Sequence, residues 1–95
     1  MKILAIEKET EGVNWEREEQ TLYDEARAAY NLLLKGVLRE IYFTEEKNAV
    51  LILECDSKNT ALKLLNELPL VKKQLITFSL MELNPYTGFS RLMEI

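Results

Sequence analysis

A chain of 95 residues with 47% hydrophobic residues is long enough for one small domain and apolar enough to build its core. Its 12 Lys and Arg against 16 Asp and Glu give a net charge of −4, and it contains no histidine. That excludes a Ser-His or Cys-His nucleophile pair, His-ligated zinc and an imidazole base near neutral pH.

The first segment, Lys2 to Lys8, is a short aliphatic run read as a strand. Glu9 to Val13, with Gly12, is a connection. From Asn14, a plausible N-cap, Trp15, Glu19, Leu22, Ala26, Ala29 and Leu33 recur at helical spacing. The spacing predicts a helix over roughly 15–34, with Gly36 just past its end. Val37 to Thr44 and Ala49 to Cys55 flank the polar Glu45-Glu46-Lys47-Asn48 and read as a β-hairpin. Asp56 and Ser57 offer N-cap chemistry to a second helix with Ala61, Leu64, Leu65 and Leu68 on its buried face, stopped by Pro69. A last strand is predicted from about Gln74 to Leu83, then a turn over 84–88 and a tail from Phe89 to Ile95.

The order β-α-β-β-α-β defines an α+β fold, a ferredoxin-like sandwich with an antiparallel four-stranded sheet. Residues 1–88 form that domain and 89–95 the tail. The longest unbroken aliphatic run, Ala49 to Leu53, is far short of the ~20 residues of a membrane span, so no membrane partner is expected. Between Glu7 and Glu25 stand eight acids and two bases. Such a block argues against nucleic acid, whose phosphates call for clustered Lys and Arg. Without a D-x-D-x-D loop or a glycine-rich phosphate cradle, neither metal nor cofactor is expected. A lone cysteine and a start that lacks the character of a secretion signal fit a cytoplasmic protein.

The strands carry an argument for a partner. The helices of this fold cover one face of the sheet, and an open face should read polar at every second residue. Here both faces are largely apolar: Leu51 and Leu53 lie on one side of the third strand, Val50 and Ile52 on the other. Two copies packed sheet to sheet would bury that surface, which predicts a homodimer, or a higher oligomer of such dimers, with a barrel-like interior. The tail, with Phe89, Leu92, Met93 and Ile95, is expected to pack on the partner subunit or cap the barrel mouth.

The segment Asn66-Glu67-Leu68-Pro69-Leu70, followed by a strand and Asn84-Pro85, resembles the muconolactone isomerase family of dimeric α+β barrels. Asp24-Glu25, Gly36, Arg39 and Tyr42 sit at spacings that match the same family. The resemblance implies a reaction that shifts a double bond in an unsaturated lactone, taking a proton from one carbon and returning it to another. Such chemistry needs a positioned base and acid, and donors for a developing enolate oxygen. The family has His-Pro where this chain has Asn84-Pro85, and a first-strand His where it has Leu4. Any base is therefore a carboxylate, and the family match points to Glu25 or its neighbour Asp24.

Each candidate also has a plainer reading. Glu25 lies off the predicted apolar stripe, as a solvated helix carboxylate would. Arg39 alternates with Val37 and Ile41, so it points into the dimer interior to bind a ligand carboxylate, or else snorkels at a strand edge. Glu7, Glu54 and Glu82 are candidate ion-pair partners for it, or polar lining of a pocket. Tyr23, Tyr30 and Tyr42, with Trp15, either wall a site for a flat organic ligand or pack helix on sheet. Cys55 reads as core. Two functional classes follow: an isomerase-like enzyme acting on a carboxylated or lactone metabolite between the two sheets, and a non-catalytic small-molecule-binding or protein-interaction dimer.

Overall fold

Four strands and two main helices follow one another in the expected order in the computed structural model, which describes residues 1–93. The strands are β1 (Lys2–Glu9), β2 (Leu38–Phe43), β3 (Ala49–Glu54) and β4 (Ile76–Leu83); the helices are α1 (Glu19–Leu34), α2 (Lys58–Asn66) and a one-turn α3 (Pro69–Lys72). The sheet order is β2-β3-β1-β4 with every neighbouring pair antiparallel. This is the ferredoxin-like arrangement of an α+β fold.

Side-chain alternation splits the sheet into two unlike faces. Ile3, Ala5, Leu51, Leu53 and Ile76 turn toward the helices and are buried, joined by Leu32 of α1 and by Ala61 and Leu65 of α2. Leu4, Ile6, Val50 and Ile52 turn the other way and are only half-buried, with Met81 and Leu83 exposed beside them. Nothing in the described chain covers this outer face.

Several boundaries depart from the sequence reading, each for a local reason. The first helix does not begin at Trp15. Trp15–Arg17 is a separate 3-10 turn, Asn14 makes no side-chain cap bond, and α1 starts at Glu19. At its far end Gly36, at φ +78°, lets Gly36 N donate to Leu33 O and Val37 N to Leu32 O, the paired bonds of a left-handed helix stop. Ser57 caps α2, its Oγ accepting from Thr60 N at 3.1 Å. Pro69 opens α3 rather than simply ending α2, because its missing N–H costs nothing in a first turn. Gln74 sits at φ +60° just past α3, so β4 starts two residues later than expected.

Strand β2 carries a register shift between Leu38 and Glu40, where Leu38 faces Leu53 and Glu40 faces Ile52. Arg39 is the extra residue, and the alternation with Val37 and Ile41 assumed from sequence is broken there. Beyond β4, Gly88–Met93 forms a 3-10 segment, and Tyr86, just before it, meets Phe89 edge to face at 4.8 Å between ring centroids. Phe89, Leu92 and Met93 stay exposed. Of the expected tail, Glu94 and Ile95 lie outside the described residues.

Candidate functional site

A cavity of about 490 Å³ lies between α1 and the helix-side face of the sheet. Its walls are mainly apolar: Trp15, Leu22, Ile41, Phe43 and Phe78 contribute the larger side chains. Four charged residues also line it: Glu7 and Glu9 from β1, Glu25 from α1 and Lys47 from the hairpin turn. The volume is in the range of small-molecule sites.

Glu7 reaches the cavity because β1 alternates. It follows Ile3 and Ala5 on the helix side, opposite Phe78 of β4. Its Oε1 accepts from Ala49 N at 2.9 Å, just beyond Ile6 and Val50, where the β1–β3 register ends. Glu25 comes down from α1. Thr21 and Leu32 are the buried residues of that helix, and Glu25 lies between them on the same line, four residues after the first and seven before the second. Its Oε1 accepts from Leu70 N at 3.0 Å, an amide in the first turn of α3 that has no partner within that helix. Each carboxylate is thus fixed by one backbone amide. Neither Oε2 makes a hydrogen bond to another described residue.

Both acids are harder to ionise than an ordinary glutamate. For Glu25, burial against apolar walls is the main cause and the charge of Glu7 adds to it, while the Leu70 amide works in the opposite direction. For Glu7, burial again dominates, the Ala49 amide partly offsets it and Glu9 raises it further. Two half-buried carboxylates in one apolar cavity, one of them raised by the charge of the other, are chemically distinctive: one can hold a proton while the other is ionised. Such a pair can accept a proton from one atom and offer another to a developing oxyanion.

The other sequence candidates lie elsewhere. Asp24 is exposed and accepts from Gln20 Nε2 at 3.0 Å. Tyr23 and Tyr30 are 59% and 57% exposed on the outward side of α1, and the Tyr23 hydroxyl accepts from Arg27 Nη2. Tyr42 is on the outer face of the sheet, where its hydroxyl donates to Glu40 Oε1 at 2.7 Å; that bond and the charge of Glu40 push the phenol up. Arg39 is exposed and its Nε donates to the Gly36 carbonyl at 2.7 Å. Of the catalytic candidates Glu25 alone lines the cavity, and of the aromatic residues weighed as ligand walls only Trp15 does. The cavity itself is on the helix side of the sheet, not between two sheets.

The walls Phe43 and Phe78 were not assigned to a ligand site from sequence, and Glu7 was weighed as an ion-pair partner or polar pocket lining, not as a catalytic group. The signal for Glu7 was present: an acid continuing the inward line Ile3, Ala5 is out of place unless it has work to do. Cys55 is half-buried at the end of β3, and burial raises its thiol. Among the described residues no three His, Cys, Asp or Glu come together in a metal-holding group, and no helix is long and apolar enough to cross a membrane.

The fold and the cavity together define a ferredoxin-like α+β domain with a paired-carboxylate cleft under its first helix. Among solved structures, the chain is similar to 5-chloro-2-hydroxyhydroquinone dehydrochlorinase (TftG) from Burkholderia phenoliruptrix AC1100, in complex with 2,5-dihydroxybenzoquinone. The TM-score is 0.71 at 14% sequence identity, covering 93% of this chain and 98% of that one. At that identity the likeness shows the shared fold. No family model matches the chain, and no curated protein matches it in sequence.

Proposed function

We propose that this protein is a small-molecule enzyme of the isomerase-like kind, using Glu7 and Glu25 for proton transfer to and from carbon. The observation that carries the reading is the pair of amide-anchored carboxylates in one apolar cavity. In this reading the ionised member of the pair takes a proton from carbon next to a carbonyl. The protonated member donates a hydrogen bond to the enolate oxygen, and the first returns its proton further along the conjugated system. The double bond moves and no net proton is gained or lost. Apolar walls raise the basicity of Glu25 toward the working pH, which is what efficient transfer needs.

The resemblance to the muconolactone isomerase family supports the same class of chemistry, as does a fold shared with a dehydrochlorinase in complex with 2,5-dihydroxybenzoquinone. Self-association belongs to this reading too. The bare outer face around Leu4, Ile6, Val50 and Ile52 suits a second copy, in a dimer or a higher oligomer of dimers, with the exposed segment around Phe89, Leu92 and Met93 packing on that copy. A cytoplasmic setting fits the single cysteine.

A non-catalytic binder is the second reading. It is favoured by the commitment of both carboxylates to backbone amides, a structural use in itself. The two separate on a neutral unsaturated lactone, α-angelica lactone, followed by proton NMR in D2O. The enzyme reading expects deuterium uptake and double-bond migration above the protein-free rate. Glu25→Gln, which keeps the acceptor for Leu70, should lower that rate about a hundredfold or more. Exchange no faster than the protein-free rate, or equal in E25Q, would contradict catalysis by this pair.

A further inference from the structure

We infer that the cavity selects uncharged ring compounds carrying hydroxyl or keto oxygens and discriminates against their carboxylated counterparts. The inference rests on the proposed role of this cavity as the ligand site, and it narrows the ligand from the carboxylated or lactone class expected from sequence to the neutral one.

The charges that face the cavity decide the matter. Glu7 and Glu9 come from β1, Glu25 from α1 and Lys47 from the turn between β2 and β3. The lining residues of β2, β3, β4 and the segment around α3 are all apolar. Three acids against one base leave an excess of negative charge. The position of the base weakens it further, since Lys47 is exposed on a turn, at φ +66°. An ion pair made there would be hydrated and screened, and would contribute little. Arg39, the cation expected to receive a ligand carboxylate, turns away to the Gly36 carbonyl. A carboxylate in the cavity would lose its water against apolar walls and meet Glu7 and Glu25 as like charges.

Neutral oxygens have what they need. Each carboxylate has one oxygen held by a backbone amide and a second, Oε2, without a hydrogen bond to another described residue. When ionised, that oxygen accepts from a ligand hydroxyl; when protonated, the group donates to a ligand carbonyl. With one acid ionised and the other protonated, the site would offer an acceptor and a donor together. The aromatic side chains of Trp15, Phe43 and Phe78 supply apolar walls for a ring.

The test uses the full chain and two probes that differ in a single group, 4-hydroxybenzamide and 4-hydroxybenzoate. Each is titrated at pH 7.5 while the indole N–H of Trp15, the chain's single tryptophan and part of the cavity wall, is followed by NMR. The amide should saturate at a concentration at least about tenfold lower than the carboxylate. In Glu7→Gln the carboxylate should gain several-fold in affinity while the amide changes little. Carboxylate binding as tight as the amide, or tighter, overturns the selectivity and leaves the cavity a ligand site. No shift from either probe at millimolar concentration, in a chain still folded, overturns the ligand site and the selectivity with it.

Discussion

The two faces of the sheet are built from the same aliphatic alphabet and put to different uses. On the helix side Ile3 and Leu53 are 0% exposed, and the alternation that buries them also delivers Glu7 into an apolar cavity beneath α1. On the outer side Leu4, Ile6, Val50 and Ile52 make a second apolar surface that the chain leaves half-open. Among the cavity's charged residues, the acids that would do chemistry belong to the helix side; the outer face shows carboxylates at its margins, such as Glu40 and Glu54, tied to neighbours. One face is completed by the chain's own helices. The other is left bare by the described chain, and it is the face the proposed association would use.

The largest expected effect separates adjacent residues of β3. Leu53→Ala removes a fully buried side chain and should cost about 2–5 kcal/mol in denaturant unfolding. Ile52→Ala, one residue away on the outer face, should cost the isolated chain much less. Equal losses would break the contrast. Ile52→Glu sharpens it: a charge placed in a sheet-to-sheet contact should raise the dimer dissociation constant by about a hundredfold or more, read by light scattering on a dilution series. A mass that is monomeric for the unaltered protein as well would remove the outer face from any assembly.

Next in size are the two left-handed helix stops on the helix side. Gly36→Ala places a Cβ at φ +78° and should cost about 1–2 kcal/mol, whereas Gln74→Gly at φ +60° should stabilise by about 1 kcal/mol. Thermal unfolding of both variants checks the opposite signs.

The pH dependence is smaller and has a definite sign. Glu25 and Glu7 are raised above the ordinary 4.5, so the folded chain holds their protons more tightly than the unfolded chain. Their ionisation therefore costs stability as pH rises from about that ordinary value through the raised one, and the loss persists at neutral pH. Glu25→Gln removes its share. Relative to the parent, E25Q should gain stability between pH 4 and pH 7 in denaturant titrations; a relative loss would mean that the carboxylate is stabilised by charge, not strained by burial. Glu18 has the opposite sign, since the hydrogen bond from Lys73 at 2.8 Å is the main cause that lowers it and its contribution fades on acidification.

The fold was legible in the sequence because its signals are local. Alternation in β3, the Ser57 cap and Gly36 past the first helix each report on a few neighbouring residues. The site was only half legible, and the reason is visible at α1. Choosing the stripe by hydrophobicity gave Leu22, Ala26, Ala29 and Leu33, whereas the helix buries Thr21 and Leu32 and turns Glu25 inward between them. A polar residue turned toward a core is what an apolar stripe is bound to skip. Arg39 failed for another reason: a bulge in β2 changes which face every earlier residue takes, and period-two reasoning has no means of seeing it. Glu7 was weighed as a partner for that arginine or as polar lining of a pocket, and nothing local in the sequence set it beside Glu25.

The central claim is that Glu7 and Glu25 form one interacting pair in the cavity under α1. Its most direct test is a pH titration of the two side-chain carboxyl carbons by NMR, in the unaltered chain and in Glu7→Gln. The account expects both carboxyls to titrate above the ordinary glutamate range, and the Glu25 midpoint to fall when the charge of Glu7 is removed. Midpoints at ordinary values, or a Glu25 midpoint indifferent to Glu7→Gln, would contradict it.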